Sequence, residues 1–167
     1  MASWMAFSVL LGAAFAADAG DEETAEDRVQ PVIEKVERIC REGPVHMVGP
    51  EKAQRLAELV DKHEPKRVVE CGTALGYSAL WIARQLERNG GGELITIEID
   101  PDRAKRAEAF FREAGLADRI TVKVGDAREV VKTIEGPIDF LFLDCGFSNY
   151  ETCFRGVESK LADGAVV

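Results

Sequence analysis

The sequence predicts an α/β fold in which a parallel sheet is doubly wound, with helices on both faces. Short apolar runs such as Val68-Val69 and Phe140-Leu141-Phe142-Leu143 lack the polar alternation of a half-exposed strand, so they suit strands buried on both sides. Segments with apolar residues at helical spacing separate them. The order runs strand, helix, strand, helix, which makes each helix a crossover between parallel strands. A chain of 167 residues can bury one core. Residues 28–167 are read as that single domain.

The elements follow in order. Val29, Val32, Ile33, Val36 and Ile39 form one apolar stripe of a helix. Pro50 suits the first position of the next helix, with Leu56, Leu59 and Val60 facing in. Residues 67–71 are strand one, and 77–86 a helix closed by Asn89-Gly90-Gly91-Gly92. Residues 94–99 are strand two. Asp100-Pro101 caps and starts a helix that Gly115 stops. Residues 120–124 and 138–143 are strands three and four, 150–161 a helix, and 165–167 the start of strand five.

The first 27 residues stand apart. Residues 4–16 are apolar, and Ala14-Phe15-Ala16 or Ala17-Asp18-Ala19 resembles a signal-peptidase site. Yet no Lys or Arg occurs in residues 1–27, and a run of about 13 residues is too short for a bilayer of roughly 30 Å. Two readings stand: a cleaved or anchoring segment, which would export or membrane-attach the protein, or an apolar helix packing on the domain or a second copy. Residues 20–27 read as an acidic linker.

Charge and cysteines exclude some functions. A net charge of −9 with scattered basic residues argues against nucleic acid as partner. Cys40, Cys71, Cys145 and Cys153 show no zinc spacing. Reduced, mostly buried thiols fit a cytoplasmic setting.

The chemistry concentrates at Glu70-Cys71-Gly72-Thr73-Ala74-Leu75-Gly76-Tyr77-Ser78, a strand turning on glycines into a helix. The glycines admit close backbone approach, and a helix N-terminus offers N–H groups to an anion. Strand two ends in Glu98, 22 residues after Gly76. An acid there accepts hydrogen bonds from ribose hydroxyls. The dinucleotide pattern G-x-G-x-x-G is missing. Glu70 before the first glycine suits a cationic cofactor end and repels a pyrophosphate. S-adenosylmethionine, with an ammonium, a sulfonium and one carboxylate, fits.

Five blocks in order, His46-Met47-Val48-Gly49-Pro50-Glu51-Lys52, Glu70 to Ser78, Thr96-Ile97-Glu98-Ile99-Asp100, Val124-Gly125-Asp126-Ala127-Arg128 and Asp139-Phe140-Leu141-Phe142-Leu143-Asp144, carry a resemblance. From about Val29 onward the chain resembles the Rossmann-like class I S-adenosylmethionine-dependent methyltransferases, in the O-methyltransferase group of catechol and caffeoyl-CoA O-methyltransferases. The resemblance implies cofactor contacts from Met47, Val48, Glu70, Gly72, Thr73, Gly76, Tyr77, Ser78, Glu98, Ile99, Gly125, Asp126, Ala127, Arg128 and Asp144. Asp126 would accept from the adenine amine, or cap a helix with Arg128 solvated. Met47 and Val48 would cover the methionine end, or serve as core. Ser78 would bond the carboxylate, or cap. Asp144 would be the catalytic and metal-ligating carboxylate, or a helix-capping acid.

Two departures qualify it. The family's Asp-x-x-Lys reads Asp144-Cys145-Gly146-Phe147 here, so Phe147 replaces the lysine that serves as general base. Asp163-Gly164-Ala165-Val166-Val167 resembles the turn into strand five, which in the family leads to a metal-binding Asp-Asn pair. The expected chain is therefore a truncated form lacking the last two strands, or one completed by another chain. A divalent cation, Mg²⁺ or another, would belong to a form carrying that pair. The expected function is O-methylation of a small hydroxylated, catechol- or phenol-like acceptor. The alternative is a cofactor-binding domain without transferase activity that forms a homo-oligomer through an exposed sheet edge or the N-terminal helix.

Overall fold

The computed structural model describes residues 25–167, with side chains from Arg28 onward. The apolar segment at 4–16 lies outside the described residues. Eleven principal elements follow in chain order: α1 (Ala25–Glu42), α2 (Pro50–His63), β1 (Arg67–Cys71), α3 (Tyr77–Arg88), β2 (Glu93–Glu98), α4 (Pro101–Glu113), β3 (Ile120–Val124), α5 (Ala127–Val130), β4 (Ile138–Leu143), α6 (Tyr150–Val157) and β5 (Leu161–Val166). Among the described residues, no helix is long and apolar enough to cross a membrane.

The sheet runs in the order β3-β2-β1-β4-β5, and every pairing is parallel. The chain begins in the middle at β1, winds outward to β3, then returns to β4 on β1's other side. Successive strand residues point to opposite faces, and the two cores divide accordingly. Val68, Leu94 and Phe140 pack with α1, α2, α3 and α4 through Val36, Val60, Leu80 and Phe111. Their neighbours Val69 and Leu141, with Ile97, pack on the other side against Val131, Cys153 and Val157.

Local chemistry accounts for the boundaries. Asp100 caps α4, its carboxylate accepting from the Asp102 and Arg103 amides, with Pro101 at the first helical position. Gly115 stops that helix at φ +70.

Strand two is Glu93–Glu98 rather than 94–99, and the helix from Tyr77 runs to Arg88 rather than 86; two further boundaries differ in ways that reshape the corners. Residues 25–27 of the acidic linker already belong to α1. The helix from Tyr150 ends at Val157, and β5 begins at Leu161 rather than Ala165. Lys160 anchors that corner, its Nζ donating to the carbonyls of Lys132 and Ile134 at 2.6 and 2.7 Å. Ile138 pairs with Leu161 but Phe140 with Val166, so β5 carries extra residues between these pairs. Asp163-Gly164 is thus a bulge inside the strand, with Gly164 at φ +79, not a turn before it.

Candidate functional site

The order reverses between β1 and β4, and in open α/β sheets ligands bind beyond the strands' carboxyl ends at such a point. Here the segments after β1 and β4 touch. The Asp144 amide donates to the Cys71 carbonyl at 2.8 Å, and a Cβ on Gly72 (φ +109) would lie 2.6 Å from the Asp144 carbonyl oxygen. The turn is also pinned to β2, since the amides of Gly72 and Thr73 both donate to the Ile97 carbonyl. Gly76 has a different reason from the one its sequence position suggested. A Cβ there would collide with the Phe111 ring, so this glycine lets α4 pack against the start of α3.

Three carboxylates sit at these strand ends in three environments. Glu70 is fully buried and accepts from the Ser78 and Thr96 hydroxyls at 2.5 and 2.6 Å. Burial pushes its pKa up to about 7. Glu98 is 4% exposed. Its Oε1 accepts from the Asp100 amide and from Arg103 Nε and Nη2, whereas Oε2 accepts from the Ala74 amide at 2.7 Å. Among the described residues Oε2 has that one partner, which leaves it capacity for a ligand hydroxyl. Asp144 is raised by desolvation, offset in part by the charge of Lys52.

A cavity of about 990 Å³ opens over this region. Of the residues expected at a cofactor site, Met47, Val48, Gly72, Glu98, Ile99, Gly125, Asp126, Ala127 and Asp144 line it. Thr73, Tyr77 and Ser78 line only a narrow adjoining recess that also reaches Met47, Gly72 and Asp144. Glu70, Gly76 and Arg128 line neither. Glu70 stands behind the wall and orients Ser78 and Thr96. Ser78 does not cap α3; its hydroxyl donates to Glu70 while the residue lines the recess. The Tyr77 hydroxyl donates to Glu37 on α1, and burial raises its pKa to about 12. Asp126 caps α5 and holds the Arg128 guanidinium, which lowers its pKa to about 2. Met47 and Val48 pack on the core and also line the cavity.

The sequence reading missed Lys52, Arg55, Arg103, Asn149 and Tyr150, all of which line the cavity. Leu56 and Leu59 were read as core; they also line it, so this face of α2 serves both. The helical spacing of 52, 55, 56 and 59 was the available signal. Arg103 follows Asp100 by three residues and so reaches back to Glu98.

Glu98→Ala is expected to weaken S-adenosylhomocysteine binding by about 2 kcal/mol, since a hydrogen bond to a charged group is lost. It should also lower the melting temperature, because the Ala74 and Asp100 amides and Arg103 lose their acceptor. Calorimetry on the folded variant checks this; an unchanged Kd would move the ribose site elsewhere.

A doubly wound parallel sheet, a glycine turn at its switch point and an acid ending β2 define the class I methyltransferase architecture. The chain belongs to the methyltransferase domain family, whose match covers residues 69–167. It is 33% identical over 116 residues to a catechol O-methyltransferase of Niastella koreensis, covering 67% of this chain and 52% of the relative. It is 34% identical over 121 residues to one of Mycobacterium tuberculosis, covering 72% and 54%. The chain thus spans about half the length of these curated relatives. The O-methyltransferase TomG from Streptomyces achromogenes, solved with SAM, matches with a TM-score of 0.74 at 29% identity, covering 81% of this chain and 63% of that one.

Proposed function

We propose that this chain is an S-adenosylmethionine-dependent O-methyltransferase domain acting in the cytoplasm, where that cofactor is made, on a small hydroxylated, catechol- or phenol-like acceptor. The observation that carries the reading is the cavity at the switch point, with Glu98 at one strand end and Asp144 at another. The names of the relatives, catechol O-methyltransferases, support the acceptor class.

The residues present fit the cofactor. Glu98 Oε2 would accept from a ribose hydroxyl, Ile99 and Ala127 would offer apolar contact to an adenine, and Asp144 would suit the cationic methionine end. The bound cofactor would supply a methyl group activated on a sulfonium. The chain's own part is alignment and exclusion of water. Val48, Leu56 and Phe142 form apolar wall on the acceptor side. Phe147, 88% exposed, does not line the cavity and takes no proton.

A divalent ion fits less well. Among the described residues, no three His, Cys, Asp or Glu side chains gather into a candidate metal site. An ion at Asp144 would draw its remaining ligands from water or the acceptor. A second reading is a chain that binds cofactor without turnover.

Isothermal titration is expected to show S-adenosylmethionine and S-adenosylhomocysteine binding, and no heat with NAD. Tight NAD binding without either methyl-donor ligand would overturn the proposal. Binding without methylation of any catechol would favour the second reading.

A further inference from the structure

One helix face builds a wall of this cavity that the cofactor reading does not use. Lys52, Arg55, Leu56 and Leu59 all line it from α2. Their separations of three, four and seven residues place them on one side of a helix. Lys52 and Arg55 make the wall cationic, and Leu56 and Leu59 beside and beyond them are apolar. At the strand ends Glu98 and Asp126 also line it, paired with Arg103 and Arg128, while Asp144 makes no ion pair among the described residues.

These cations line the cavity of a chain whose net charge is −9. Among the described residues Lys52 makes no ion pair; its cation acts through space on Asp144. Arg55 pairs with Glu58 at 2.8 Å, but both side chains are largely exposed, at 70% and 49%. Such exposed pairs are weak, and one contact leaves most of the guanidinium donors available. Lysine and arginine together favour an anion, and a guanidinium matches a carboxylate's two oxygens.

We propose that the acceptor is an aromatic carboxylate, its anionic group held by Lys52 and Arg55 and its ring lying against Leu56, Leu59 and Phe142. This rests on the methyltransferase reading of the cavity and narrows its acceptor class. The carboxylate stands away from the acidic strand ends, and the hydroxyl end of the ring faces Asp144.

The test compares 3,4-dihydroxybenzoate with 3,4-dihydroxybenzyl alcohol, which differ in the anion, by calorimetry on protein saturated with S-adenosylhomocysteine. The carboxylate is expected to bind about tenfold tighter at low salt, with the advantage shrinking as salt rises. It should largely vanish in the Lys52→Met, Arg55→Met double variant and survive in Lys52→Arg. Equal affinities, an advantage that persists in the double variant, or binding of neither probe would overturn the proposal. Failure of S-adenosylhomocysteine to bind is a separate result that refutes the cofactor reading. The same two probes titrated into ligand-free protein then still decide the role of the α2 wall.

Discussion

Gly72→Ala is expected to destabilise the domain by about 3 kcal/mol or more and to abolish cofactor binding. Two effects add. At φ +109 an L side chain is strained, at roughly 1–2 kcal/mol. The new Cβ would also lie 2.6 Å from the Asp144 carbonyl oxygen and 2.8 Å from its carbon. Both atoms are backbone, so no rotamer change relieves the contact, and overpacking of this kind costs roughly 1–3 kcal/mol. The chain must instead part where the Asp144 amide meets the Cys71 carbonyl, which displaces the Asp144 carboxylate from the cavity. Gly90→Ala is the control. Gly90 also has positive φ, +78, but a Cβ there meets nothing within 4 Å, so only strain of about 1 kcal/mol applies. Urea melts of both variants, with S-adenosylhomocysteine titrations, check this. A Gly72→Ala variant as stable as Gly90→Ala would show that β1 and β4 are not locked together at this crossing.

That crossing marks the limit of what the sequence discloses. Strands one, three and four were legible to the residue, because apolar runs bounded by polar or glycine residues leave no other arrangement. The position of Glu98 was legible because it closes β2, 22 residues after Gly76. What was hidden depends on partners far along the chain. Gly76 is explained by Phe111, 35 residues later. Glu70 looked like a cofactor ligand because it precedes Gly72, yet its oxygens go to Ser78 and Thr96. The cations on α2 drew no reading at all, because only the folded chain brings that helix to a cavity with the end of β4. Asp163-Gly164 carried turn chemistry correctly but sat within β5, where the same chemistry makes a bulge.

Glu70 should also make stability fall as pH rises through the neutral range. Its folded pKa, about 7, stands above the ordinary 4.5. The cause is burial first, offset partly by the hydroxyl hydrogen bonds and reinforced by the charges of Asp144 and Glu98. Between these values the folded chain keeps a proton that the unfolded chain has released. The unfolded state binds fewer protons, so the unfolding free energy decreases with pH. The stabilisation is fully present below about pH 4.5 and is lost by about pH 7, a total of about 3 kcal/mol for a shift of this size. Glu70→Gln removes the titration. Its amide can replace the protonated carboxyl, because the Ser78 and Thr96 hydroxyls rotate to accept as readily as to donate. Urea melts of both proteins from below pH 4.5 to above pH 7 are therefore expected to diverge as pH rises, the variant gaining about 3 kcal/mol on the native chain before the curves run parallel again. Curves parallel throughout would mean that Glu70 is charged in the folded state at acid pH, and that Ser78 and Thr96 hold a carboxylate rather than share its proton.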